Sequence, residues 1–132
     1  LAVLHVAFAW VAIAFAMFAM QSLAWLAAPG LMGQAPLHAL TLGFFASMLL
    51  GMASRVTMGH SGRPVVADAA MWRAFCMMQA AAMVRVSCDL PALPGAHALM
   101  WLSSLLWLGA FALWAWRFAP AFWRPRADGK PG

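Results

Sequence analysis

Residues 37–56 read LHALTLGFFASMLLGMASRV, a largely apolar stretch that carries no charge before Arg55. An α-helix needs roughly 20 predominantly apolar residues to cross the hydrocarbon core of a bilayer. Pro36 stands directly before the stretch, in the first turn of a helix, where the missing N–H costs no hydrogen bond. We therefore predict that residues 37–56 form a transmembrane helix.

Three further apolar segments of comparable length flank this stretch: 2–27, 69–86 and 97–118. The sequence shows no strand-like alternation of useful length. It therefore predicts an all-α membrane protein, with four transmembrane helices in an up-down bundle joined by short loops. The chain begins at Leu1 inside a hydrophobic run, so we expect this bundle to be part of a larger polytopic one.

The segment 69–86 is the least apolar of the four because Arg73, Gln79 and Arg85 interrupt it. Gln79 falls at mid-depth, where we expect it to line a cavity or to cap a neighbouring backbone group. Arg85 and Asp89 are four residues apart, so their side chains can pair across one helical turn. We expect that pair to have a structural role.

The composition excludes an ordinary soluble domain. Of the 132 residues, 66% are hydrophobic and 8% are charged, whereas a soluble domain carries roughly a quarter charged residues. The formal net charge is +5, but the Lys and Arg residues are too sparse to form a continuous stripe for nucleic acid. They lie mostly at helix ends, where the expected anionic partner is the headgroup layer of the lipid bilayer.

The basic residues also predict the orientation in the membrane. Most of them lie in or near the loop after residue 56 and in the C-terminal tail: Arg55, Arg63, Arg73, Arg117, Arg124, Arg126 and Lys130. Cytoplasmic loops carry an excess of Lys and Arg. We therefore expect this loop and both ends of the chain to be cytoplasmic, with residues 1–118 forming the membrane region and residues 119–132 a basic cytoplasmic tail. Within this tail, residues 123–132 are expected to be a disordered end.

The predicted helix 37–56 has two distinct faces. Gly43, Ser47 and Gly51 repeat every four residues, and small residues at this spacing let another helix approach closely. The other stripe has polar ends and an apolar middle: His38, Thr41, Phe45, Met48, Met52 and Arg55. We expect this second stripe to face the interior of the bundle, for packing between helices or for lining a site.

Four histidines are candidate metal ligands, because neutral imidazole commonly binds haem iron and copper. The predicted topology places His38 and His97 at the outer ends of their helices, and His5 and His60 near the inner face. Two histidines at one depth on neighbouring helices could hold a haem between them. The alternative is that they are interfacial residues without a ligand.

The loop after this helix reads RVTMGHSGRP at 55–64, with His60 between Gly59 and Gly62. Arg55 and Arg63 bracket the turn. Their guanidinium groups could form bidentate bonds with haem propionates or could hold the loop on lipid phosphates. The sequence contains no Ser–His–Asp arrangement, carboxylate pair or phosphate-binding glycine loop.

Three blocks in this region, HALTLG at 38–43, GMASR at 51–55 and GHSGR at 59–63, resemble the signature of the NnrS family. Members of that family are polytopic, haem- and copper-containing membrane proteins associated with bacterial denitrification and nitric oxide stress. The resemblance covers residues 36–64. It implies that the chain is the C-terminal part of a longer protein of the bacterial inner membrane.

The resemblance further implies that His38, Arg55, His60 and Arg63 are the cofactor-binding candidates, with haem and copper as the cofactors and nitric oxide as a ligand. The leading hypothesis is therefore a membrane haem or copper protein of the nitric oxide response, and whether it is an enzyme stays open. An alternative is a transporter or channel fragment in which the polar-ended stripe lines a pathway. A third option is an assembly subunit that docks through Gly43, Ser47 and Gly51.

Overall fold

The computed structural model describes residues 2–90 and 95–129. Within these ranges the chain has four helices and no strand: α1 (Ala2–Ala24), α2 (Ala35–His60), α3 (Ala69–Cys88) and α4 (Ala96–Phe118). A short 3₁₀ helix, Ala119–Phe122, extends α4. The prediction of an all-helical chain is confirmed. Helix α1 ends before the expected residue 27, and α2 continues one turn beyond the expected residue 56.

Three helices in the described part of the chain are long and apolar enough to cross a membrane: α1, α2 and α4 with its 3₁₀ extension. Helix α3 is not among them, since Arg73, Gln79 and Arg85 lower its apolar character. Large hydrophobic side chains, including Leu26 and Trp116, are exposed on the outer surface of the chain. Such a surface suits lipid rather than water.

Helix α2 changes its hydrogen-bonding pattern along its length. Its first turn, Ala35–His38, is α-helical, the segment Ala39–Ala46 is a π-helix, and Ser47–His60 is again α-helical. The Ser47 hydroxyl donates to the carbonyl of Leu42, five residues earlier, at 3.3 Å. π-Helical segments are rare and are frequently found at functional sites. The sequence pattern gave no sign of this segment, which begins immediately after His38.

Contacts between neighbouring helices run in opposite sequence order, so consecutive helices are antiparallel. The pairs are Leu4 with Gly51 and Trp10 with Gly43 between α1 and α2, His38 with Asp89 and Ser47 with Gln79 between α2 and α3, and Ser103 with Ala81 and Arg117 with Asp68 between α3 and α4. His38 and Asp89 therefore lie at one end of the bundle, and Arg117 and Asp68 lie at the other.

Buried and half-buried polar side chains connect the helices at mid-depth. The indole N–H of Trp10 donates to Gln79 Oε1 at 2.7 Å, and Gln79 Nε2 donates to Ser47 Oγ at 2.6 Å, so Gln79 bridges α1 and α2 from α3. Trp114 on α4 donates to Ser54 on α2 at 2.9 Å. Hydrogen bonds in a low-dielectric interior are strong, and leaving such groups unpaired is costly. Gln79 was expected to line a cavity or to cap a backbone group. Instead, it forms hydrogen bonds with two side chains, those of Trp10 and Ser47.

The polar-ended stripe of α2 lies mostly on the outer surface of the described helices, and the expectation that it faces the bundle interior holds only at His38, which contacts α3. Phe45 is 57% exposed and Met52 is 44% exposed, and Thr41 and Arg55 are exposed as well. The reason is that α1 and α3 cover the opposite face, where the small residues allow close approach.

The small-residue stripe is consequently occupied within the chain. Trp10 packs against Gly43, Gln79 bonds to Ser47, and Leu4 packs against Gly51. These three residues are therefore not a free docking face for another subunit.

Apart from Arg85, the basic residues in the described part of the chain gather at one end of the bundle, where α2 ends, α3 begins and α4 ends. There, Asp68 caps α3 by accepting from the backbone N–H of Met71 at 2.9 Å, and it pairs with Arg117. The Met71 N–H and, to a lesser extent, the Arg117 guanidinium hold the pKa of Asp68 below its ordinary value.

The C-terminal tail folds back onto this end. The backbone N–H of Ala127 donates to the Ser61 carbonyl at 2.9 Å, directly after α2. Within the expected disordered end 123–132, the described residues 123–129 thus contact the rest of the chain through this bond. Lys130, one of the basic residues from which the orientation was predicted, lies outside the described residues.

Candidate functional site

His38 ends the first turn of α2 and lies next to the C-terminal end of α3. Its Nδ1 atom is 2.7 Å from Asp89 Oδ2, and the other carboxylate oxygen of Asp89 accepts from Arg85 at 3.1 Å. All three side chains are largely buried, at 21%, 17% and 19% exposure respectively. The predicted Arg85–Asp89 pair is therefore present, and His38 is a second partner of Asp89.

The hydrogen bond assigns the tautomer of His38. A carboxylate can only accept hydrogen bonds, so Nδ1 must carry the proton. In the neutral ring, Nε2 is then unprotonated and has a lone pair available for a metal. No residue in the ranges 2–90 and 95–129 hydrogen-bonds to Nε2 of His38. A histidine held by a carboxylate through one nitrogen is the usual arrangement for a metal-binding imidazole.

His38 borders a groove of about 550 Å³ formed by α2, α3 and α4. This volume falls within the roughly 300–1,000 Å³ range of small-molecule sites. The lining combines polar and apolar side chains: His38, Thr41, Leu42, Arg85, Ser103, Ser104, Trp107 and Leu108. The groove opens on the outer surface of the four helices, so a ligand could enter it from that side.

Three of the predicted site residues, Arg55, His60 and Arg63, lie at the other end of α2. Arg55 follows His38 by 17 positions, which corresponds to roughly 25 Å along the helix. His60 is the last residue of α2 and is exposed, as is Arg55. One small cofactor cannot touch both His38 and this group, so the structure divides the predicted residues between two separate places.

The turn around His60 has a structural explanation. The N–H of Arg63 bonds to the Met58 carbonyl and the N–H of Gly62 bonds to the Gly59 carbonyl, which is the Schellman pattern that ends a helix. Gly62 has φ +69°, a conformation that glycine adopts without steric cost. The glycine at 62 therefore ends α2, whatever His60 binds.

Gly62 also lies where the tail approaches most closely. A Cβ atom at this position would meet the carboxyl carbon of Asp128 at 2.7 Å. We expect Gly62→Ala to lower the free energy of unfolding by about 1–2 kcal/mol, because an alanine in the left-handed region is strained, and to displace the tail in addition. Thermal unfolding in detergent measures the first effect, and limited proteolysis at the tail measures the second.

Gly30→Ala is the matched control, since Gly30 has φ +74° but nothing within 4 Å of the added Cβ. It should cost stability without exposing the tail. Equal protease resistance of the tail in Gly62→Ala and the unsubstituted protein would contradict the predicted contact.

The other two histidines are placed differently from His38. His97 is the second residue of α4 and is exposed, at the same end of the bundle as His38. His5 lies with Leu4, Phe8 and Met48 along a second groove of about 430 Å³. Met48 precedes His60 by 12 residues, or roughly 18 Å of helix. His5 and His60 therefore do not share one level as expected.

Across residues 2–90 and 95–129, no group of three or more His, Cys, Asp or Glu side chains is arranged to hold a metal ion. His38 with Asp89 offers one ligand and its carboxylate partner. Further ligands would have to come from the cofactor itself or from outside the described residues. This suits one side of a haem, because the porphyrin supplies four of the iron's bonds.

The sequence suggested His38 as a candidate ligand, but it did not predict Asp89 as the hydrogen-bond partner of His38. The depth argument that grouped the histidines would also have placed Asp89 at the outer end of its helix, beside His38.

Comparison with known proteins covers this region as well. The protein-family model described as NnrS protein matches residues 1–126. No match to the chain was found among curated proteins or among solved structures.

Proposed function

Because the chain belongs to the NnrS family, we propose that it is part of an integral membrane protein that binds haem, and also copper, in the bacterial response to nitric oxide or in denitrification. The observation that carries this proposal is the His38–Asp89 hydrogen bond of 2.7 Å beside the groove. It leaves Nε2 of His38 as a ligand for a metal.

We propose that His38 would hold a haem in this groove, with its Nε2 atom as a ligand for the iron. A haem iron with an open position would take up nitric oxide, whereas one with two histidine ligands would transfer electrons. His38 would orient the group, and the apolar groove side chains Trp107 and Leu108 would exclude water from one face. His97 lies at the same end of the bundle and is the second candidate ligand there.

The distant group of Arg55, His60 and Arg63 would serve a separate purpose. Arg55 and Arg63 suit haem propionates or lipid phosphates, since both are anions that guanidinium groups bind well. His60 and His5 lie at different levels, so each is a separate candidate ligand for a further metal such as copper. Each would need partners from the remaining transmembrane helices of the longer chain.

For the membrane topology, we propose four crossings in an up-down bundle, formed by residues 1–118, with the tail 119–132 on the cytoplasmic side of the inner membrane. Helix α3 would cross because Gln79 is satisfied by Trp10 and Ser47. Arg73 and Arg85 lie toward its two ends, where their charged groups can reach the interfaces. The location of most basic residues, all described ones except Arg85, at one end supports cytoplasmic chain ends.

The transport alternative has less support. Its pathway was expected along the polar-ended stripe of α2, but beyond His38 most of that stripe lies on the outer surface of the four helices. In this chain the stripe would have to meet other helices before it could line a pathway.

The decisive test is an optical spectrum, reduced minus oxidised, of the full-length protein purified in detergent, together with iron and copper analysis. We expect a haem Soret band with iron in proportion to protein. A preparation that is colourless, and stays so after reconstitution with haem, would refute the haem proposal.

A further inference from the structure

Asp89 occupies an electrostatically unfavourable position. It is the C-cap residue of α3, where the negative end of the helix dipole disfavours an acidic side chain. Its two partners, Arg85 and His38, supply the compensating donors. From this placement we propose that Asp89 is a positioning residue: it fixes the tautomer of His38 and strengthens the imidazole as a donor, while Arg85 limits that effect. The part that concerns a bound metal rests on the proposed function.

The carboxylate of Asp89 is divided between two partners. Oδ2 accepts from Nδ1 of His38 at 2.7 Å, and Oδ1 accepts from Arg85 at 3.1 Å. Each oxygen therefore has its own charged or polar donor, and neither partner replaces the other. Because the three groups are less than a quarter exposed, solvent screens these interactions only in part.

The hydroxyl side chains of the groove are already engaged. The hydroxyls of Thr41, Ser103 and Ser104 donate to the backbone carbonyls of Leu37, Ala81 and Met100 at 2.8 Å, 2.9 Å and 2.9 Å. The bonds of Thr41 and Ser104 are made within their own helices, and the bond of Ser103 links α4 to α3. Among the described residues that line the groove, His38 alone carries an imidazole. The position of its ring therefore decides what the groove can bind.

A carboxylate on Nδ1–H draws the proton toward itself and raises the electron density at Nε2. Such a ligand favours the oxidised state of a metal that it binds. Arg85 opposes this by withdrawing charge from the same carboxylate. Asp89 and Arg85 should therefore shift the midpoint potential of a haem on His38 in opposite directions.

The first test needs no cofactor. In the cofactor-free, full-length protein in detergent, ¹⁵N NMR of the His38 ring should show protonated Nδ1 and unprotonated Nε2. In Asp89→Asn, both tautomers should be populated, because an amide can accept from Nδ1–H or donate to Nδ1. Asp68→Asn is the matched control. It makes the same change at the opposite end of α3 and keeps a good N-cap, so it should leave the His38 signals unchanged.

An unchanged His38 tautomer in Asp89→Asn would overturn the proposal, as would a protonated Nε2 in the unsubstituted protein. Because this measurement involves no haem, it stands even if the protein proves to bind none. A colourless protein with the expected tautomer would refute the proposed function while supporting the role of Asp89.

The second test uses the haem-loaded protein. Asp89→Asn should weaken haem retention about 10- to 100-fold, the usual effect of removing such a partner, and should raise the midpoint potential. Arg85→Gln retains the carboxylate and should lower the potential. Asp68→Asn should change neither quantity. Shifts of the same sign in Asp89→Asn and Arg85→Gln would show that both act through a general disturbance of the fold and would overturn the proposal.

Discussion

His38→Ala is expected to abolish the haem absorption of the full-length protein, whereas His60→Ala should retain most of it. The two residues differ in how their rings are held. Asp89 fixes the ring of His38 next to a groove through a hydrogen bond with Nδ1. The side-chain entropy that His38 would lose on binding a metal is therefore already lost on folding. His60 is exposed at the end of α2, and no hydrogen bond to its ring is found in the described part of the chain.

The measurement is the Soret absorbance per mole of purified protein, with haem extracted and quantified separately. His5→Ala and His97→Ala complete the series and show whether a second histidine shares the cofactor. Thermal unfolding in detergent distinguishes a lost ligand from a lost fold. If His38→Ala kept its full haem content while His60→Ala lost it, the candidate site would move to the basic end of the bundle.

Gly43→Ala is expected to be the most destabilising single methyl addition in the bundle. A Cβ atom at Gly43 would lie 2.3 Å from a ring carbon of Trp10, far inside van der Waals contact. Trp10 cannot move freely, because its indole N–H is bonded to Gln79 at 2.7 Å. Overpacking of this kind costs typically about 1–3 kcal/mol, and loss of the hydrogen bond adds about 1 kcal/mol.

Gly59→Ala on the same helix is the matched control for this prediction. Its added Cβ meets nothing within 4 Å, so the higher helix propensity of alanine should make it neutral or stabilising by up to about 1 kcal/mol. Both variants can be compared by thermal unfolding in detergent, with tryptophan fluorescence reporting on Trp10. Equal melting temperatures for the two variants would mean that Trp10 of α1 does not pack closely against Gly43.

Much of the local structure was predictable from the sequence. Residues 37–56 were expected to be helical, and α2 contains all of them. The Arg85–Asp89 pair follows from a spacing of four residues in a helix and is present at 3.1 Å. Both features depend only on residues that are close together in the sequence. Spacing and hydrophobicity are therefore sufficient to predict them.

The π-helical segment and the direction of the two faces of α2 were not predictable in the same way. A polar-ended stripe can face inward or outward, and the choice depends on which face the other helices can approach more closely. Here the small residues at 43, 47 and 51 admit α1 and α3, so the larger stripe with Phe45 and Met52 remains outside. That competition between faces is decided by packing across the whole bundle.

By itself, the sequence determined the helical class, the membrane environment of the apolar segments and the family, because composition, segment length and short motifs are properties of the chain alone. Only the tertiary structure decided that His38 meets Asp89, 51 residues away, and that Arg55, His60 and Arg63 lie at the opposite end of α2. The physical reason is that contacts between helices depend on their order, direction and rotation, which the antiparallel packing of α2 against α3 fixes and a one-dimensional pattern does not contain.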